Sequence, residues 1–574
     1  MPALFAPPSV KSIRHSDGVI DLCSGVPLSP RPPSVLHWLS AWAAATPDAP
    51  FLTTVSADHD RDVWRYGSAW KDVATLAVGL ASHSLAGGRV MVLASNSIEH
   101  MTVGFATMLA GGVYVPVAPQ YAGPDADPAK LRGLIELLNP AFAYVEQPAH
   151  ERAFRAAGGQ YAVMLPQGAV LEQFGGGVAE ATIGAKDLLY RLDPTAVTKI
   201  LLTSGSTGRP KPVAYNQARM TANTQATLDL WPFIARHRLE LVDWLPWNHA
   251  FGSNANINLV LSQGGTLHID EAAGHPDRLA LTIANLRRFR PTFHATVPAG
   301  FAALLPELEG DASFCETFFE RMDALFSAGA AMHPEVHRRL IEASLTVRPT
   351  PVPILSGWGG TETGPGATMV HVPDAPPDCI GLPLPGVEVR LEPNGDKYQL
   401  LVRGHGVSDG YWSMPDATRP AFRDDGFFAS GDAGELIDPT RPELGLRFTG
   451  RIADDFKLSN GTWVDANGVR ARLLMLSGGR LHDLVVAGAN QSALTVMAWG
   501  ELSAGELDEL IADYNRDCGG SSRRIAAGAM FDSEPEPQEL SGKGQLIRAA
   551  VLSRRAAVIE RLYEATAMLA ARPR

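Results

Sequence analysis

TSGSTGRPKPV, residues 203–213, is the stretch that decides how this chain is read. Gly205 and Gly208 lack a Cβ, so the backbone there can turn through positive φ and come close to a ligand. The hydroxyls of Thr203, Ser204, Ser206 and Thr207, with the N–H groups of such a turn, can donate to phosphate oxygens, and Lys211 adds a positive charge. The preceding ILL reads as a strand, and a strand, a glycine-hydroxyl loop and then a helix make an anion cradle. A surface linker is also rich in serine and glycine, but it has no reason to place Pro-Lys at a set distance after them. A Walker-type loop is excluded because Gly208 is followed by Arg209, where that pattern needs lysine.

Any phosphate ligand must be met by a local site of this kind, because the whole chain is acidic. It has 49 basic and 61 acidic residues, a net charge of −12, which argues against nucleic acid or an anionic membrane as a partner. At 574 residues the chain exceeds what one hydrophobic core serves, so two or more domains are expected. Cys23, Cys315, Cys379 and Cys518 have no metal-ligand spacing and read as small buried hydrophobes in a reducing compartment. The opening MPALFAPPSVKSIRH has prolines where a signal peptide needs an apolar run. The longest apolar stretch, residues 103–118, is broken by Gly-Gly and proline and is too short to span a bilayer. A cytoplasmic location is expected.

From about residue 89, apolar runs of strand length alternate with helix-period segments. MVLAS, VYVPVAP, KILLTS, WLP, TLHID, FHATV, ALFSAG and PILSGW are the strand candidates, with helices near 98–109 and 129–138. The alternation predicts parallel sheets flanked by helices, an α/β fold. The proline-rich first 40 residues read as an extended arm. After 381 the texture changes to short alternating strands, and VEVRLEPNGDKYQLLVRG carries the hairpin signal Asn394-Gly395. The expected organisation is a large N-terminal domain of helix-flanked sheets, 1–450, with a β-rich subdomain at about 381–450. A small mobile α+β domain, 451–574, would come after it. It would hold strands near RLHDLVVAG and ALTVMAWG, a helix at 503–516 and one long final helix with Val551, Ile559, Leu562 and Leu569 mostly on one face.

Four later motifs narrow the chemistry. GWGGTETGP, residues 357–365, sets Trp358 near Glu362 in a glycine-rich loop, an aromatic to cover a base and a carboxylate able to hold Mg²⁺. FFASGDAGEL places Asp432 where a carboxylate can accept both hydroxyls of a ribose, in what reads as a tight turn. GRIADDFKLSNGTWV brings Arg451, and PQELSGKGQLIR sets Lys543 in a glycine-flanked turn. Each alone is an ordinary turn or core aromatic. Together, in this order, they resemble the superfamily of adenylate-forming acyl-CoA synthetases, luciferases and peptide-synthetase adenylation domains over roughly residues 203–548. DWLPWNHAFGSNANINLVLSQGGTLHID and KGQLIRAAVLSRRAA look like the bacterial feruloyl-CoA synthetase branch.

The resemblance implies roles for particular residues. Thr203, Ser204, Ser206, Thr207 and Lys211, with Gly205 and Gly208, would hold the β- and γ-phosphates of ATP. Trp358, Gly359 and Gly360 would lie at the adenine beside Gly329, Ala330 and Ala331. Thr361 and Glu362 would sit at the α-phosphate and Mg²⁺, Asp432 and Arg451 at the ribose, and Lys543 would be the adenylation lysine. His249 would gate the acyl pocket, walled by Trp247, Phe251, Gly329, Gly357 and Gly360, and the small Gly364 and Gly366 would widen it. A C-terminal rotation about a hinge after Arg451 would admit coenzyme A for the second half-reaction, although Ala453 stands where the family commonly has Asp or Lys.

The implied activity is ligation of an aromatic carboxylic acid, a hydroxycinnamate such as ferulate, to coenzyme A with ATP and Mg²⁺. Other aryl or medium-chain acids, loading of a carrier protein in trans, and a non-catalytic nucleotide-binding role stay open, as does assembly as a homodimer.

Overall fold

The computed structural model describes residues 4–54, 62–82, 85–124, 126–160, 162–164, 178–203, 210–273, 276–372, 374–395, 397–460, 462–516, 524–540 and 546–570. The chain groups into two units. One comprises Met1–Leu391, Leu401–Ala429 and Leu436–Arg447, and the other Glu392–Leu400, Ser430–Glu435 and Phe448–Arg574.

The first unit is α/β, as the alternating runs predict. Arg89–Leu93 pairs in parallel with Val113–Val117 on one side and Phe142–Val145 on the other. Every residue of Val113–Val117 is buried, as expected where helices cover both faces of a parallel sheet. Ser97 caps the helix Ile98–Leu109 by accepting from His100 N. Val197–Thr203 joins the same sheet. A second sheet runs Glu240–Asp243, Thr266–Ile269, Pro50–Thr54 and Val63–Arg65. WLP therefore falls just past its strand rather than forming one, because Asp243 Oδ1 accepts from Leu245 N and turns the chain.

The proline-rich start is not an arm. Val10–Arg14 and Ile20–Ser24 form an antiparallel hairpin, and Ile20–Ser24 pairs with Val387–Asn394. Buried Ile20 and Leu22 and the ion pair between Asp21 and Arg390, Nε to Oδ1 at 2.7 Å, fix that edge. Within the first unit the sheet runs on past residue 379. Cys379–Pro383 pairs with Gly366–Met369, which pairs with Ile354–Gly359. Asn394-Gly395 does turn a hairpin, with Gly395 at φ +67°. Cys23, Cys315 and Cys379 are free thiols, and Cys518 lies outside the described residues.

In the second unit Leu481–Ala487 pairs antiparallel with Leu494–Gly500, which pairs in parallel with Ile525–Phe531. Alternate residues face opposite ways. Leu484, Val486, Val496 and Ala498 pack with Leu473, Leu507 and Ile511, while Val485, Met497 and Trp499 pack with Val551. The final helix is two helices, Arg548–Arg554 and Ala556–Ala570. They part at Arg555, whose guanidinium is held by both oxygens of the fully buried Glu539 at 2.6 Å each and lies 4.2 Å from the Phe531 ring centroid. No apolar periodicity encodes that constraint.

Arg555→Ala strands a buried carboxylate, so it should cost about 3–5 kcal/mol, read by denaturant unfolding. The Arg555 hydrogen bonds hold the Glu539 carboxyl below its ordinary range. Its stabilising contribution is therefore complete above the unfolded value of about 4.3 and is lost as pH falls through the lower folded value. The variant should show a weaker acid dependence of stability than the parent chain.

Candidate functional site

The strand Val197–Thr203 is followed across residues 204–209 by an antiparallel partner, Lys211–Asn216, with Lys211 opposite Thr203. The element after the phosphate loop is thus a strand and not a helix, which corrects the cradle expected from sequence. The helix Gln217–Leu230 begins only after Asn216 caps it by accepting from Arg219 N. Ser204, Gly205, Ser206, Thr207 and Gly208 lie outside the described residues.

Three segments of the first unit converge beside this hairpin. The loop with Thr361 and Glu362 is a short 3-10 turn, Thr361–Thr363, closed by Thr363 Oγ1 accepting from Gly360 N at 2.8 Å. Tyr215, on the strand after the loop, donates its hydroxyl to Thr361 O. Residues 408–412 form the third segment. Ser408 N donates to Glu362 O at 2.8 Å, Trp412 N donates to Pro212 O at 2.8 Å, and Tyr411 bridges to Val213.

Tyr411 is the residue that sequence reasoning missed. Its hydroxyl donates to Glu362 Oε1 at 2.9 Å, and its ring centroid lies 4.8 Å from Lys211 Nζ. Burial and the Glu362 carboxylate push its phenol well above the ordinary range, so it stays a neutral donor. Nothing local in GYW marks it, because both partners come from distant segments.

The expected acyl region is built by WNHAFG and the turn and helix after it. Phe251–Asn256 is a turn of π-helix running into Ile257–Ser262, an irregularity frequent at functional sites. Gly252 must be glycine there, since a Cβ would lie 2.5 Å from Leu245 O. His249 is partly exposed, and its carbonyl accepts from Ser253 N at 3.0 Å. Phe251 meets Phe326 edge-on at 5.5 Å. Trp247 is fully buried, its ring edge-on to His100 at 5.4 Å.

The adjoining cavity, with about 20 Å³ open to a water-sized molecule, is lined by Asn223, Thr224, Trp231, Asn254, Asn256 and Phe326 among others. Gly357 and Gly366 do not widen it. A Cβ on Gly357 would lie 2.5 Å from Met369 Sδ, and one on Gly366 would lie 2.7 Å from Met369 Cε, so Met369 fills the space both leave and itself lines the cavity. Gly364, at φ +110°, packs on Asn223 and Gly406. Gly329, at φ +89°, Ala330 and Ala331 are exposed, whereas Trp358 is buried.

In the second unit Asp432 lies within the strand Phe428–Leu436 rather than in a turn, and Arg451 Nε stands 3.4 Å from its Oδ1. Ala453 falls in a 3-10 turn, Ile452–Asp454. Lys543 lies outside the described residues. Among the described residues no cluster of three or more His, Cys, Asp or Glu forms a metal site, and no helix is long and apolar enough to cross a membrane.

The chain belongs to the AMP-binding enzyme family, whose model matches residues 39–412. It is 30% identical over 299 residues to anthranilate–CoA ligase of Pseudomonas aeruginosa, covering 50% of this chain and 53% of that protein. It is 26% identical over 399 residues to feruloyl-CoA synthase of Amycolatopsis sp, covering 68% and 74%. The fold is that of ATP-bound MatB from Rhodopseudomonas palustris, with a TM-score of 0.72 at 22% identity over 92% of this chain and 99% of that one.

Replacing Tyr411 by Leu removes both the ring under Lys211 and the Glu362 hydrogen bond. ATP affinity, measured by isothermal titration, should fall by roughly one to two orders of magnitude, on the basis of about 1–3 kcal/mol for the pair. Tyr411→Phe should fall less, because it keeps the ring.

Proposed function

We propose that this chain is an ATP-dependent acid–CoA ligase acting on an aromatic carboxylic acid, a hydroxycinnamate such as ferulate. The observation that carries the reading is the meeting of Lys211 and Glu362 on Tyr411, a cation suited to phosphate and a carboxylate suited to a metal held beside one hairpin. The named activities of the two relatives, both on ring-bearing acids, support the substrate class.

A carboxylate acylates poorly until it gains a leaving group. Its oxygen attacks the α-phosphorus of ATP, the bond to the bridging oxygen breaks, and pyrophosphate leaves with the electron pair. Little covalent work falls to the protein, so positioning and neutralisation of developing charge carry the step. Thr203, Lys211 and the loop between them hold the departing pyrophosphate, while Thr361 lies at the α-phosphate. Lys543 neutralises charge on the transferred group.

Glu362 suits Mg²⁺, because Tyr411 occupies Oε1 and leaves Oε2, a hard oxygen, to serve it; bound there, the ion would neutralise phosphate charge. Asp432 and Arg451 take the ribose, and Gly329, Ala330 and Ala331 the adenine edge. In the second step the thiol sulfur of coenzyme A attacks the acyl carbonyl of the adenylate, the C–O bond to AMP breaks and AMP leaves. His249 lies at the passage between the acid and the thiol.

Lys543→Ala should slow adenylate formation by about 10²–10³, the loss of 2.7–4 kcal/mol typical of one charge-stabilising group, and spare thioester formation from a supplied acyl-adenylate. Equal loss of both half-reactions would remove the assigned role. A pyrophosphate-release screen over ferulate, p-coumarate, benzoate, anthranilate and octanoate should place the hydroxycinnamates first. Fast turnover of octanoate with none of ferulate would reassign the substrate, and transfer to a carrier protein instead of coenzyme A would reassign the acceptor.

A further inference from the structure

One buried hydroxyl lies between the two turns that the reaction must bring together. Tyr215, on the strand Lys211–Asn216, is 1% exposed and donates its proton to Thr361 O in the 3-10 turn. Burial and the Glu362 carboxylate push the phenol well above its ordinary range, so it keeps that proton and has lone pairs left to accept. Its oxygen faces the side-chain amide of Asn254, in the π-helical turn Phe251–Asn256 that follows WNHAFG.

The sense of that contact is set from the neighbouring strand. Lys199, on Val197–Thr203, is buried, and its Nζ donates to Asn254 Oδ1 at 2.7 Å. Burial lowers its ammonium to about 7. In the charged form it has donors only, so the amide oxygen is the atom that turns to it. Nδ2 is then the Asn254 atom left for the tyrosine; it is buried, makes no hydrogen bond of normal geometry and faces the Tyr215 oxygen. Donor leads to acceptor from Lys199 through Asn254 and Tyr215 to Thr361, an order in which each link polarises the next. The turn is engaged from a further strand as well, because the Asn256 side chain faces the buried Asp243 carboxyl.

We propose that Tyr215 is a positioning residue for adenylate formation: its hydroxyl sets the turn on the acid side against the turn on the α-phosphate side, so that the carboxylate oxygen meets phosphorus in line. The proposal rests on the acid–CoA ligase reading and adds to it a residue that no local motif marks. At 1% exposure the tyrosine acts through Thr361 and Asn254 and not on a reactant. A step with little covalent help depends on alignment, and a misplacement of about 1 Å costs on the order of 10²-fold. Once the adenylate exists, a covalent bond joins acyl group to phosphate, and the second step no longer needs that alignment.

Tyr215→Phe keeps the ring and removes only the hydroxyl. With the acid that the parent chain turns over fastest in the pyrophosphate-release screen, kcat for adenylate formation should fall by roughly ten- to a hundredfold. ATP affinity by isothermal titration should hold, because Ser408 N on Glu362 O and Tyr411 on Glu362 Oε1 still fix the 3-10 turn. Thioester formation from a supplied acyl-adenylate should hold too. Asn254→Ala breaks the same chain one link away, and the double variant should be little slower than either single one, since both remove one coupling. If Asn254→Ala does not fold, as judged by its melting transition, Tyr215→Phe decides alone. An unchanged adenylation rate in Tyr215→Phe, a loss of ATP affinity as large as the loss of rate, equal loss of both half-reactions, or losses that add in the double variant overturn the proposal and leave the ligase reading standing. A parent chain that forms no adenylate with any acid removes the ligase reading and the proposal with it.

Discussion

The site of the first unit depends on one side chain standing between two charges. A lysine and a glutamate that paired with each other would leave neither charge available to a phosphate or a metal. Tyr411 meets Lys211 with the face of its ring and Glu362 with its hydroxyl, so each charge is engaged without being neutralised. The tyrosine is in turn fixed by the backbone. Ser408 N on Glu362 O and Trp412 N on Pro212 O tie its segment to both neighbours, and Tyr215 on Thr361 O closes the third side. The strand Lys211–Asn216, the 3-10 turn and the 408–412 segment are therefore tied to one another by backbone and side-chain hydrogen bonds.

Much of the fold was legible from local pattern. The runs MVLAS, VYVPVAP and KILLTS are strands because continuous apolar side chains suit a parallel sheet covered on both faces. Ile98–Leu109 is a helix with its serine cap where periodicity and capping chemistry place it. The readings that failed share a cause. The N-terminal hairpin is held by Asp21 on Arg390, residues 369 apart in sequence, and the break at Arg555 is held by Glu539 across 16 residues. Likewise the strand after the phosphate loop is set by its pairing to Val197–Thr203, and a helix in the same place would satisfy the same local residues.

The glycines show the limit of composition as a guide to space. Gly357 reads from sequence as part of a pocket wall and Gly366 as widening it, but removing a Cβ creates room for whatever packs nearest, and here that is Met369. The cavity lies beyond that methionine and takes its character from asparagines on the helix Gln217–Leu230 and on the π-helical turn Phe251–Asn256. A π-turn shifts the phase of every later side chain relative to a 3.6-residue helix, so no periodicity argument would have put Asn254 and Asn256 on the same wall.

By itself the sequence determined the α/β class and the order of motifs that marks the family, because each is a local property of residue type and spacing. Tertiary structure alone decided that Lys211–Asn216 pairs with Val197–Thr203, that Tyr411 joins Lys211 to Glu362 and that Met369 fills the space left by the glycines. Each of these is a contact set in space, and that of Tyr411 with Glu362 joins residues 49 apart in sequence. Its energy depends on distance and direction in space, and the linear order of the chain carries neither.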